Sequence, residues 1–376
     1  MPARWTGCRG LHMGTLVGAV GALIIFGAII LVHEFGHFIV AKRTGMLVYE
    51  FSMGFGPAIF SKEIGGTLYA IRIIPLGGYV RIAGMEPGEE DTPNGFDKKP
   101  FLARFGTIFA GPVMNMVLAL VVFIIIGMAI GYPKPGKDSI VTGVQINSPA
   151  DRVGLQINDQ FVEIAGIKNP DYEQVSNAIK TSPPPIPIVV RRNGTLISMK
   201  VTPKPILTAE RVGLIYKTTT YQGIGIGIGS LSTDWERLGP LESVTTGFIG
   251  VKNLIVEGLA QIVSLVTGHI PFKALSGPLG IIQTSYSVSK SALDSRLGLS
   301  SFFNTIAFLS VLVGIFNLIP IPALDGSRLV IVAIEGIIRK PFNREKEALV
   351  HLVGMALLLG LIAVISIKDL LALRGG

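Results

Sequence analysis

Four stretches of this chain are long and apolar enough to cross a bilayer, and the first runs without a loop into His33-Glu34-Phe35-Gly36-His37. A hydrocarbon core asks for about 20 apolar residues per helix. From Gly10 to Val32 the only ionisable side chain is His12, and Phe105 to Pro133, Leu297 to Leu324 and Ala348 to Ile367 hold no Asp, Glu, Lys or Arg. Backbone in lipid must satisfy its own hydrogen bonds, which leaves helices or closed barrels, and runs of this length select helices. Transmembrane helices are expected at about 11–41, 101–131, 298–320 and 348–370.

Arg4 and Arg9 ahead of the first run resemble the start of a signal peptide. The run is too long for a usual signal core, and cleavage would strand the motif at its end. The net charge of +8 is distributed as a topology signal rather than as a nucleic-acid surface. Lys42, Arg43, Lys62, Arg72, Arg81, Lys98, Lys99 and Arg104 lie between the first two helices, and Arg328, Arg339, Lys340, Arg344 and Lys346 between the last two. Positive loops favour the cytoplasm, so both termini and the 134–296 segment are expected outside it. The one cysteine, Cys8, leaves no intrachain disulfide and no cysteine-based zinc cluster.

Between the helices the chain changes character. The 47–84 region reads as a β-hairpin, with strands Thr67 to Ile74 and Tyr79 to Ile82 about a turn at Pro75-Leu76-Gly77-Gly78. It is too apolar for a solvated loop, so it is expected to associate with the membrane and to offer an edge for an extended peptide, against a plain structural hairpin. In the second helix Pro112 predicts a kink, and Asn115 must find a partner, either on a neighbouring helix or in catalysis. Residues 134–206 read as a small α+β domain, with strands near Ile140, Gln160, Ile186 and Leu196 and a helix from Tyr172 to Ile179. Residues 207–296 read as a linker. Its Gly223–Gly229 alternation suggests a strand, and its 241–272 stretch suggests an amphipathic helix in the membrane surface, the alternative being a further crossing.

An HExxH on a helix sets two imidazoles one turn apart on one face and a carboxylate beside them, the pattern of two zinc ligands and a general base. A catalytic zinc usually takes a third protein ligand. His12 lies roughly 30 Å of helix away from His33 at 1.5 Å per residue, His269 is expected outside, and His351 sits in the last helix. Asp325 closes the third helix just after Asn317, Pro320 and Pro322, at the same expected end of the membrane as His33 and His37. His33, His37 and Asp325 are therefore expected to hold Zn²⁺, with Glu34 as base and Asn317 either a donor to the substrate or a packing residue.

These residues resemble the site-2 protease family of intramembrane zinc metalloproteases. The likeness rests on His33–His37, Gly54-Phe-Gly-Pro57, Pro75-Leu-Gly-Gly-Tyr79, Phe109–Asn115, the Asn317–Gly326 segment (Asn-x-x-Pro-x-Pro-x-Leu-Asp-Gly) and a PDZ-like signature over Ser148–Asp159. It departs from the family in showing one such signature, where related members often carry two, and in placing Ser327 and Arg328 after Gly326. It implies a helical membrane core of four spans with a membrane-associated β-hairpin and one inserted extracytoplasmic PDZ-like domain. It also implies peptide-bond cleavage in single-pass membrane substrates, such as anti-sigma factors or remnant signal peptides, within the bacterial inner membrane. Gly77, Gly78 and Tyr79 would then hold substrate as an added strand. No nucleic-acid partner is implied, and the sequence leaves the oligomeric state open. The rival readings are a metal transporter, which would need polar residues along its spans, and a non-enzymatic scaffold.

Overall fold

The computed structural model of the protein describes residues 7–89, 92–134, 136, 138–145, 148–230, 234–269, 278–292, 295–340 and 342–374. The chain divides into two units, Met1–Ile130 with Gly239–Leu259 and Phe272–Gly376, and Gly131–Leu238 with Ala260–Pro271.

In the first unit, helix α1 (Gly7–Arg43) ends on Lys42 and Arg43, cations that suit the negative end of a helix dipole. It closes with Met46 N–H donating to Ala41 and Gly45 N–H to Lys42, the paired bonds of a Schellman end. Strands β1 (Val48–Ile64) and β2 (Thr67–Ile82) follow, joined through Gly65 and Gly66 at φ +58° and +73°, the left-handed pair a two-residue hairpin turn needs. The ladder then folds back, so that Phe51 faces Tyr69 on one side and Val80 on the other. The expected pairing of Thr67–Ile74 with Tyr79–Ile82 is therefore not formed. Both flanks pair with β1, and β2 runs through Pro75–Gly78 as one element. Gly77, at φ +118°, permits the bend, and Arg72 ties it by donating to Ser52 Oγ at 2.9 Å and to Glu50 at 2.5 Å. Ile59, Phe60, Ile73 and Ile74 remain exposed on this curled sheet.

Helix α2 (Phe101–Ile125) continues past Pro112 into a π-type turn over Ile126–Ile130. Helix α1 lies close against it: a side-chain carbon at Gly36 would come within 2.4 Å of the Ala110 carbonyl oxygen. Beneath the hairpin, Ala41, Met46, Val48, Ile82, Phe96, Ile108, Leu329 and Val332 form one buried cluster.

The second unit begins with β3 (Tyr132–Pro133) and β4 (Ser139–Val144). Helix α3 (Pro149–Arg152) is capped by Ser148, whose Oγ accepts from Asp151 N–H. Strands β5 (Gln160–Ile164) and β6 (Ile167–Lys168) precede α4 (Tyr172–Thr181), which opens on an Asp171/Gln174 capping box. Then come β7 (Ile186–Arg192), β8 (Thr195–Val201), β9 (Lys204–Val212), β10 (Ile215–Gly223), β11 (Ile226–Ser230) and β12 (Trp235–Glu236). The main sheet runs β11-β4-β5-β7-β8, with β6 on β5; β9 pairs with β10 and β3 with β12. Phe161, Ile164, Val175, Ile186, Ile188 and Val190 fill its core. Part of the stretch expected as linker after residue 206 thus belongs to sheets: β11 is an edge strand whose Ile226 and Ile228 pack on that core.

Helix α5 (Pro240–Val266) occupies the stretch expected to lie in the membrane surface, and the boundary between the units falls within it. Its Gly247 and Gly250 approach Leu120 and Phe123 of α2. Helices α6 (Pro278–Ser291), α7 (Arg296–Leu318), α8 (Asp325–Ile338) and α9 (Arg344–Arg374) complete the chain. Among the described residues five helices are long and apolar enough to cross a membrane: Gly18–Arg43, Phe101–Ile130, Pro240–Val266, Arg296–Leu318 and Arg344–Lys368. The fifth, relative to the four expected, is α5.

In the second unit Asp159 is fully buried and receives a two-pronged bond from Arg192, at 2.7 Å to each oxygen, together with Gln156 N–H at 2.8 Å. Asp159→Ala strips all three bonds. The cost should be about 2–3 kcal/mol, less than for a wholly buried pair because Arg192 reaches solvent. Hydrogen exchange should report faster opening of β5 and β7 in the variant.

Candidate metal centre

His33 and His37 project from one face of α1, four residues apart, with ring centroids 4.8 Å apart and planes at 83°. Asp325 is the first residue of α8. The three meet at one point: His33 Nε2 and His37 Nε2 lie 3.0 and 3.2 Å from Asp325 Oδ2, and 3.2 Å from each other. Ligands at about 2.0–2.1 Å around a tetrahedral zinc stand about 3.3 Å apart, so the donor atoms already have the spacing of one face of such a site. No other cluster of three or more His, Cys, Asp or Glu suited to a metal occurs among the described residues.

Both imidazoles are held from behind, which turns their Nε2 atoms toward Asp325. His37 Nδ1 donates to the Thr107 carbonyl of α2 at 2.8 Å, fixing the proton on Nδ1 and leaving Nε2 bare. His33 Nδ1 faces the Asn115 amide, whose Nδ2 stands 3.2 Å away while its buried Oδ1 has no partner among the described residues. Turning that amide over sets Oδ1 against the Nδ1–H of His33, the tautomer that also bares Nε2. Asn115 is itself located by Ser310 of α7, whose Oγ donates to its carbonyl at 2.8 Å. Space for the rings comes from Gly111, where a side-chain carbon would stand 2.3 Å from His37 Nε2. Pro112 lies beside it, buried in α2, and its carbonyl faces Gly314 of α7.

Glu34 projects beside this pair. Its Oε2 accepts from the Val80 N–H of β2 at 3.1 Å, which leaves Oε1 available to a water or a substrate. Glu34, His37 and Asp325 line a cavity of about 420 Å³ with Tyr79, Arg81 and Arg328. Burial, and then the hydrogen bond and charge of Glu50, push the Tyr79 hydroxyl above its ordinary value. Gly78 lies against Glu34, its missing side chain 3.7 Å from Glu34 Cγ, and Gly77 packs under the Phe55 ring.

The sequence-derived residues do not all converge. Asn317, near the end of α7, is half-buried and is absent from the cavity lining, and no hydrogen bond joins it to the His–His–Asp group. Pro320 and Pro322 shape the turn from α7 into α8. His351 does not bind at the centre: its Nδ1 accepts from Ala323 N–H at 3.1 Å. The Thr107 carbonyl and the Val80 N–H are backbone groups, with no signature in sequence. Arg328 had a signal only in its position three residues past Asp325, one helical turn along the same face.

Comparison with known proteins agrees with this geometry. The model of peptidase family M50 matches residues 21–361. A Clostridium perfringens protein carrying a zinc-metalloprotease name is 34% identical, over 93% of this chain and 97% of its own. The zinc metalloprotease RasP of Geobacillus kaustophilus is 31% identical, over 95% and 98%. The regulator of sigma-W protease RasP of Bacillus subtilis is 29% identical, over 93% and 97%.

Two outcomes test the centre. Dialysis against a strong chelator should abolish peptide hydrolysis, and stoichiometric Zn²⁺ should restore it. Asn115→Leu, which removes the partner of His33 Nδ1, should weaken Zn²⁺ binding by about 10–100-fold, measured by competition with a chromogenic chelator.

Proposed function

The chain belongs to peptidase family M50, and from that premise and the geometry of its centre we propose that Glu34, His33, His37 and Asp325 are the working residues of a site-2-type intramembrane protease. The protein is a zinc metalloprotease with several membrane-length helices. The observation that carries the site assignment is the His33–His37–Asp325 group at the end of an apolar helix, with Glu34, His37 and Asp325 lining one cavity.

Zinc bound by His33, His37 and Asp325 would supply Lewis-acid polarisation of the scissile carbonyl and a water of lowered pKa. The chain's own groups do the rest. Glu34 Oε1 takes a proton from the attacking water and returns it to the leaving amine, while Val80 N–H keeps Oε2 in place. Tyr79 and Arg328 line the same cavity. Asn317 would reach the substrate only after a shift toward the cavity.

The backbone of Gly77–Tyr79 runs beside Glu34, so an extended peptide pairing there would lie next to the base. A helical substrate must first unwind to pair in this way. The substrates we assign are single-pass membrane segments already shortened by another protease, with anti-sigma factors and remnant signal peptides as the classes; the name of the Bacillus subtilis relative supports the first. The second unit, with its capped α4 beside a curved antiparallel sheet, is assigned as a PDZ-like domain that screens those substrates. The basic loops on either side of the centre support a cytoplasmic side for it and an extracytoplasmic second unit in a bacterial inner membrane. The transporter reading gains nothing from the centre, which sits at one end of α1 rather than along a polar path.

Glu34→Gln keeps the shape of the side chain and all three ligands but removes the base. In proteoliposomes containing a single-span peptide, it should lower kcat by about 10²–10⁴-fold with zinc content unchanged. Cleavage at the wild-type rate would remove Glu34 from the mechanism.

A further inference from the structure

Asp325 can complete the centre only if the six residues before it, Ile319 to Leu324, deliver α8 at the right angle. That segment is poor in hydrogen bonds of its own. Pro320 and Pro322 have no N–H. Ile321 N–H turns back to Ile319, and Leu324 N–H to Ile321. Ala323 is left with its N–H pointing away from the loop, and its φ is +83°, a left-handed conformation that a residue with a side-chain carbon adopts at a cost. Such a conformation persists only when its surroundings hold it.

The surroundings are supplied by α9. His351 Nδ1 accepts the Ala323 N–H at 3.1 Å. Three residues on, and so on the same helix face, Gly354 lies against Pro322: a side-chain carbon there would stand 2.2 Å from Pro322 Cβ and 2.9 Å from its carbonyl. The start of α9 is fixed as well. Arg344 pairs with Asp97 and with Glu347, and Glu335 of α8 accepts from Arg104 of α2 at 2.5 Å and from Phe342 N–H at 2.7 Å. Beyond Gly354 the helix is mostly bare, with Leu357 and Val364 exposed. His351 and Gly354 are the points at which α9 meets the loop that aims Asp325.

We propose that His351 and Gly354 form a clamp on the Pro322–Ala323 turn, and that His351 is a positioning residue of the metal centre although it is not a ligand. The imidazole holds the strained turn through a lone pair on Nδ1, and Gly354 allows the helix close enough for that bond to form. This rests on Asp325 being a zinc ligand. The work of the clamp is to keep its Oδ2 at the spacing the two histidines set.

Zinc affinity of the full-length protein in detergent, measured by competition with a chromogenic chelator, tests the clamp. His351→Leu should weaken Zn²⁺ binding by about 10–100-fold, the usual effect of losing a partner that orients a ligand. His351→Asn places an amide oxygen where Nδ1 stood, and should stay within about threefold of wild type on the same physical ground. The kcat of His351→Leu should recover when zinc is raised to saturation, which a misfolded protein would not do. Should His351→Leu fail to fold, Gly354→Ala pushes on Pro322 from an independent position and should weaken zinc by a similar factor. Wild-type affinity in His351→Leu, or equal loss in the Leu and Asn variants, overturns the proposal. Asp325→Ala separates the two levels of inference. If it keeps zinc, the ligand assignment itself fails; if it loses zinc while His351→Leu and Gly354→Ala keep it, only the clamp fails.

Discussion

Three electron-pair donors, two imidazole nitrogens and a carboxylate oxygen, stand within 3.2 Å of one another between α1 and the start of α8. Left alone they repel, and only a shared cation or shared protons can hold them there. Their convergence therefore has to be enforced by everything around them. The enforcement takes two forms. Close backbone approach at Gly36 and Gly111 brings α2 within reach of the histidines. Hydrogen bonds from the Thr107 carbonyl and the Asn115 amide then fix the ring orientations. A helix bundle in lipid gains little from apolar contact between helices, since the lipid is equally apolar. Small residues and a few polar bonds are the means left to it, and they are concentrated at this point.

The histidine pair, its carboxylate neighbour and Asp325 were legible because each obeys a short-range rule: spacing on one helix face, and a break by paired prolines at a helix end. The strands and helix of the second unit were legible for the same reason. Alternation and turn residues such as Asn193-Gly194, at φ +49° and +84°, are local. What failed was long range. The stretch from Thr67 to Ile82 looks like a hairpin about Pro75–Gly78, yet its first flank pairs with β1 across the local Gly65-Gly66 turn and its second, Gly78–Ile82, returns to the distant Val48–Met53 end of the same strand. No local pattern says which of two apolar strands a third will choose. The α5 stretch, read as a surface helix on Glu257 and Gln261, sets its glycines at 247 and 250 against α2, a contact that no local pattern announces.

Asn115 and His351 show a different limit. Each was visible as a lone polar residue in an apolar helix, and such residues are costly enough there to demand a reason. The sequence supplies the demand without the partner. For Asn115 the partner proved to be a histidine of the centre, 82 positions away; for His351 it was a backbone N–H at Ala323, exposed to that bond only because two prolines and a left-handed residue strip the turn of its own donors.

The hairpin completes the physical argument for where chemistry can occur. Strand edges are not tolerated against lipid, because their unpaired N–H and C=O groups have no water to meet. Here one such N–H, that of Val80, is spent on Glu34. Tyr79 to Ile82 border the cavity that Glu34, His37 and Asp325 also line. A strand edge beside a carboxylate and a His–His–Asp group is stable in a membrane only while something polar meets its unpaired groups. That requirement is the ground on which an extended peptide is proposed for this edge: a peptide strand can satisfy donors and acceptors along an edge at once.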